Sequence, residues 1–123
     1  MYDRDVASQA LGIVIHDVSA GRATATMTVT ASMVQGHGTC HGGYLFLLAD
    51  TAFAFACNSE RPAVAAGADV EFLAPVREGD VLVAQAAERV HRGRSGLYDV
   101  TVRRGDEVVL EFRGRSRTVP EPT

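Results

Sequence analysis

The chain has 123 residues, of which 46% are hydrophobic and 22% charged, and its formal net charge is −3. That length suits one core and predicts a single domain over residues 1–123, while the ordinary composition excludes disorder and fibrous repeats. A weakly acidic chain is no nucleic-acid binder, for which a strongly basic domain is expected.

The first elements follow from side-chain period. A short amphipathic start, residues 5–11, suggests a small helix. Residues 12–18 and 22–30 are β-branched or small, and Thr24, Thr26, Thr28 and Thr30 alternate with Ala23, Ala25, Met27 and Val29. With a turn at 19–21, this predicts a hairpin. Residues 31–40 carry Gly36 and Gly38 without periodicity and open into an apolar stretch from His41, which stop signals at 58–62 end. One helix of about sixteen residues is expected between them. Leu45, Leu48, Ala49, Ala52, Phe53 and Ala56 form its stripe, while Phe46, Leu47 and Phe55 cover the opposite side. A helix apolar all round must be buried.

Downstream the period returns to two, over residues 64–74, 80–91, 97–103 and 107–118, with Tyr98, Val100 and Val102 on one face and Val108, Leu110 and Phe112 on another. Short Gly-containing connections at 92–96 and 104–106 imply antiparallel hairpins. Six antiparallel strands and one apolar helix predict an α+β protein, a curved sheet wrapped around that helix.

The longest apolar stretch, residues 44–57, contains Asp50 and is shorter than the roughly 20 residues of a membrane span. With no basic-then-apolar leader at the start, a cytoplasmic protein without a membrane partner is expected. The two cysteines, Cys40 and Cys57, are then expected as free thiols. All twelve basic residues are arginine. Residues 89–123 carry eight Arg against five acids, whereas residues 1–88 carry four against ten. This polarity suits a pocket for one small polyanion, or simply arginines lining the solvent face of a sheet.

Chemistry concentrates at Gln35-Gly-His-Gly-Thr-Cys-His41-Gly42-Gly43 and Ala49-Asp50-Thr51. Gly42 and Gly43 open the helix where stability favours neither. They let a carbonyl or oxyanion approach the first-turn N–H groups at the positive end of the helix dipole, or they allow tight helix-to-sheet packing. Asp50 is a lone carboxylate in an apolar stretch, costing several kcal/mol if buried without partners. It is a candidate nucleophile or general base, or else a structural residue bonded to a loop. His37 and His41 have a metal-like spacing, but Gly36 and Gly38 argue against a helix there, so no metal is expected. Cys40 beside His41 is a poor nucleophile candidate, because adjacent side chains seldom face each other. Tyr44, Phe46, Phe53 and Phe72 are candidate walls of an acyl pocket, or plain core.

Residues 33–59, Met-Val-Gln-Gly-His-Gly-Thr-Cys-His-Gly-Gly-Tyr-Leu-Phe-Leu-Leu-Ala-Asp-Thr-Ala-Phe-Ala-Phe-Ala-Cys-Asn-Ser, resemble the PaaI-type branch of hot-dog-fold acyl-CoA thioesterases, named from phenylacetate degradation. The resemblance implies a hot-dog fold and hydrolysis of an acyl-CoA of the phenylacetyl or hydroxyphenylacetyl type, with coenzyme A as part of the substrate and no cofactor. It implies that Gly42 polarises the thioester carbonyl, that His41 orients the site, that Asp50 attacks or activates water, and that Thr51 belongs to the site. Gln35 stands where such proteins usually have Asn. It also implies dimers that commonly pair into tetramers.

Spacing adds an inference about assembly. Asp50 lies about 12 Å along the helix from Gly42, whereas a nucleophile must come within about 3.5 Å of the carbonyl held there. Two antiparallel helices about 8–10 Å apart, related by a two-fold axis near Phe46, would place Gly42 of one chain opposite Asp50 of the other. A homodimer with shared active sites is expected. For the substrate, Gly43, Tyr44 and Phe72 are candidate contacts, and Arg92 and Arg94, flanking a Gly turn, are candidate phosphate ligands. Two rivals use the same fold. A 3-hydroxyacyl dehydratase usually needs a His–acid motif that is missing here, and a non-catalytic acyl-CoA-binding protein has no need of Asp50.

Overall fold

The computed structural model describes residues 2–120, which form an antiparallel six-stranded sheet, order β1-β2-β4-β5-β6-β3, around one long helix. This is the hot-dog arrangement that the pattern of periods predicts. After a 3-10 turn at Tyr2–Arg4 comes α1, Val6–Ala10, whose cap Asp5 accepts the Ser8 N–H. The hairpin is β1, Val14–Ser19, and β2, Arg22–Thr28, turning at Gly21, whose φ of 71° is in the left-handed region. Its alternation is borne out: Ala23, Ala25 and Met27 are buried, and so is Val29 just beyond the strand.

The central helix α2 spans Gly42–Cys57. It is followed by β3, Ala63–Phe72; β4, Val81–Arg92; β5, Ser95–Arg104; and β6, Glu107–Thr118. The stripe from Leu45 to Ala56 is buried throughout, and the sheet makes room for it. A Cβ on Gly114 of β6 would lie 2.7–2.8 Å from three ring carbons of Phe53, so glycine permits the close approach of helix and sheet. The Phe46 and Phe53 rings meet Phe112 at centroid distances of 5.4 and 5.7 Å.

Two expectations need correction. In β6 the core residue is Val109 rather than Val108, because the register with β5 shifts at Val102/Arg103 and an extra residue turns Val109 inward beside Leu110. The helix is also not enclosed on every side: Gly43 is exposed, and Leu47, Asp50 and Ala54, one face at helical spacing, are only half-buried. The chain alone leaves this strip uncovered. At the sheet edge β3 leaves Val64, Phe72 and the adjoining Leu73 about half exposed.

Candidate active site

The start of α2 selects one backbone donor. His41 is the cap residue, and its Nδ1 accepts the Gly43 N–H at 3.1 Å. Because Nδ1 accepts, the ring proton sits on Nε2. The Tyr44 N–H donates to the His41 carbonyl at 3.1 Å. Of the first three amides of the helix, only that of Gly42 has no acceptor among the described residues. It faces the region where the helix dipole favours negative charge.

Gly42 borders a pocket of about 320 Å³ whose walls include Thr39, Cys40, Leu45, Phe72 and Val76. The wall is built by long-range pairing: the Cys40 N–H donates to the Val76 carbonyl at 2.6 Å, and the His41 N–H to the Met33 carbonyl at 2.8 Å. Phe72 shows why residue 42 lacks a side chain, since a Cβ there would lie 3.0 Å from Cε1 and 3.1 Å from Cζ of the ring. Tyr44 is elsewhere. With His41, Gly43 and Leu47 it lines a second opening of about 310 Å³ beside the uncovered strip of the helix.

Asp50 lies on that strip, eight residues from Gly42, and its carboxylate accepts no hydrogen bond among the described residues. Burial, and then the nearby Asp5 carboxylate, hold its pKa above the ordinary carboxylate value. The reading of Asp50 as bonded to a loop therefore has no support within the chain. Burial raises the Cys40 thiol as well and pushes that of Cys57 up to about 11, which keeps both in the poorly nucleophilic protonated form.

The remaining sequence candidates are dispersed. Gln35 is used within its own loop, with Nε2 donating to Thr39 Oγ1 at 2.7 Å and Oε1 accepting the His37 N–H at 2.6 Å. Thr51 is buried, and its hydroxyl pairs with Ser8 Oγ at 3.0 Å, on the side of α1. Arg92 and Arg94 stand at the β4–β5 turn. Strand register places this turn near Arg117, seven residues along β6 from Leu110, the partner of Phe72. That is about 23 Å from the Gly42 end of the same chain. Arg94 donates to the Thr118 carbonyl at 3.2 and 3.3 Å. Arg92 joins Arg115 and Arg117 around a groove of about 590 Å³ floored by Val90 and Leu97. Sequence reasoning missed Arg115 and Arg117, whose every-other-residue spacing was the available signal. It also missed Asp5 and Ser8, which only the packing of α1 brings to α2. Among the described residues no group of three potential metal ligands occurs, and no helix is long and apolar enough to cross a membrane.

A hot-dog fold whose central helix offers one free N–H at its start and one unpartnered carboxylate two turns on defines an acyl-transfer type of site. A model of the thioesterase superfamily matches residues 37–111, and the chain is 47% identical over 121 residues to the acyl-coenzyme A thioesterase PaaI of Escherichia coli (strain K12), covering 97% of this chain and 86% of that one. The solved structure of the E. coli PaaI protein superposes with a TM-score of 0.95 at 46% identity, covering 98% of this chain and 88% of that chain. The phenylacetic acid degradation protein PaaI from Thermus thermophilus superposes at 0.92 with 34% identity, covering 94% of this chain and 100% of that chain. The chain belongs to the thioesterase superfamily, and it is a thioester hydrolase.

Proposed function

We propose that the protein hydrolyses an acyl-coenzyme A thioester of the phenylacetyl or hydroxyphenylacetyl type to the free acid and coenzyme A, without a cofactor or metal. The observation that carries this reading is the single unpaired N–H of Gly42 at the rim of the pocket, in a chain so similar to an acyl-coenzyme A thioesterase. The Gly42 N–H polarises the thioester carbonyl and receives the oxyanion. His41 fixes the first turn, so that the neighbouring amide is spent and only one donor points outward. Asp50, poorly solvated and raised in pKa, attacks the carbonyl carbon or takes a proton from an attacking water. In either course the carbon–sulfur bond breaks and the thiolate leaves with coenzyme A. Phe72 and Tyr44 stand beside the two openings at the start of the helix, and Gly43 keeps the approach open. In this reading Gln35 and Thr51 act by holding the loop and the helix.

Gly42 and Asp50 are about 12 Å apart on one rigid helix, so they meet on one thioester only across a two-fold axis. The half-buried strip of Leu47, Asp50 and Ala54 and the open edge of β3 are the surfaces for that contact, and pairs of dimers complete a tetramer in the cytoplasm. In such a dimer the β4–β5 turn of the second copy lies toward the Gly42 end, so its Arg92 and Arg94 are the ones suited to the coenzyme phosphates. The test is release of free thiol from a panel of aryl- and alkyl-CoA thioesters. Highest kcat/KM is expected for phenylacetyl and ring-hydroxylated phenylacetyl groups. Preference for long alkyl chains would overturn the substrate reading, and no turnover of any CoA thioester would overturn the function.

A further inference from the structure

We propose that Asp5 is a positioning residue for Asp50: through Ser8 and Thr51 it fastens α1 to the central helix and sets a second carboxylate beside the first. The proposal rests on the reading of Asp50 as the reactive carboxylate. Asp5 Oδ1 accepts the Ser8 N–H at 3.0 Å and Oδ2 accepts the Ser8 hydroxyl at 2.7 Å, while Ser8 Oγ and Thr51 Oγ1 are 3.0 Å apart. Ser8 is 0% exposed and Thr51 4%. An ionised Asp5 only accepts, so Ser8 gives it its one proton and Thr51 must donate to Ser8. The chain of bonds is therefore directional, and the Thr51 proton is committed away from its neighbour Asp50. The adjacent residue is held in one rotation about the helix axis, and Asp50 projects onto the uncovered strip.

The second consequence is electrostatic. The residues that β2, β4, β5 and β6 turn toward α2 are almost all apolar, among them Ala25, Met27, Ala84, Val100 and Phe112. Among ionisable groups on neighbouring elements, Tyr2 donates its hydroxyl to the Ile13 carbonyl, and Tyr98 donates to Glu88. On the helix itself, the Cys57 thiol feels the Asp50 charge. Asp5 is the charged group whose field bears on Asp50, and it adds to the effect of burial in holding the proton on. A carboxylate of raised pKa is the stronger base once ionised, so α1 tunes the reactive group that its hydrogen bonds orient.

Asp5→Asn separates charge from cap, because Asn caps a helix as well as Asp does and keeps an oxygen for the Ser8 N–H. The experiment is the pH dependence of kcat for wild type and Asp5→Asn, together with a ¹³C NMR titration of the Asp50 carboxyl. Both the acid limb and the titration are expected to move to lower pH in the variant, with KM unchanged. Ser8→Ala, which cuts the link and leaves the Asp5 charge, is expected to lower kcat about tenfold at constant KM, as a small misplacement of a reacting group does. Superimposable Asp50 titrations in wild type and Asp5→Asn, or an unchanged kcat in Ser8→Ala, would overturn the proposal. If the titration moves while wild type cleaves no thioester, the coupling of Asp5 to Asp50 stands and the catalytic reading of Asp50 fails instead.

Discussion

Asp50→Asn is expected to separate function from stability. The substitution keeps the shape of the side chain and removes the charge that attacks or accepts a proton. Loss of such a group costs at least about a hundredfold in kcat, or about 2.7 kcal/mol of transition-state stabilisation. Stability should move the other way. Burial and Asp5 hold the pKa of Asp50 above that of the unfolded chain, so the folded state disfavours the ionised form. That penalty is absent below the unfolded pKa, grows as pH rises toward the folded pKa, and is complete above it. Asn carries no such penalty, so the variant should melt higher than wild type at neutral pH, and the difference should shrink as pH falls through the carboxylate range. Thiol release at saturating acyl-CoA and thermal melts between acid and neutral pH read the two effects. A variant keeping more than about a tenth of wild-type kcat would remove Asp50 from its role, and a melting difference independent of pH would refute the burial argument.

Gly42→Pro deletes the unpaired N–H and is expected to lower kcat by about 10² to 10³, the usual worth of one oxyanion donor, with circular dichroism checking that the helix start survives. Replacing Arg92 and Arg94 together by Ala is expected to raise KM for the acyl-CoA, most strongly at low ionic strength, with kcat little changed; a KM insensitive to both salt and the substitutions would place the phosphates elsewhere. Gly114→Ala drives a methyl group against the fully buried Phe53 ring and is expected to cost about 1–3 kcal/mol, seen as a melting temperature several degrees lower.

Much of the fold was legible because its signals are periodic. The Thr/Ala alternation of β2 and the stripe from Leu45 to Ala56 each place side chains by one local rule. Gly42 and Asp50 stood out because each contradicts what a buried helix would otherwise choose. What stayed hidden depends on contacts between distant segments. The bulge that turns Val109 inward arises from pairing with β5, and a strict period of two misplaces it onto Val108. Thr51 sits next to Asp50 in sequence, yet its hydroxyl faces α1, because successive helical residues are rotated by about 100°. Gln35 resembles a site residue by position, while its amide is occupied by Thr39 and the His37 N–H. Ser8 carries no sequence signal, since a serine in a five-residue helix is ordinary until Thr51 is packed against it.

The central claim is that Gly42 and Asp50 act on one thioester from two different chains, and subunit complementation tests it most directly. An inactive Asp50→Asn protein and an inactive Gly42→Pro protein are mixed in equal amounts under conditions of demonstrated subunit exchange. Half of the dimers are then mixed, and one of the two sites in each joins an intact Gly42 to an intact Asp50, so activity should recover to about a quarter of wild type. Sites built within a single chain would each keep a defect, and no recovery despite exchange would contradict the shared site.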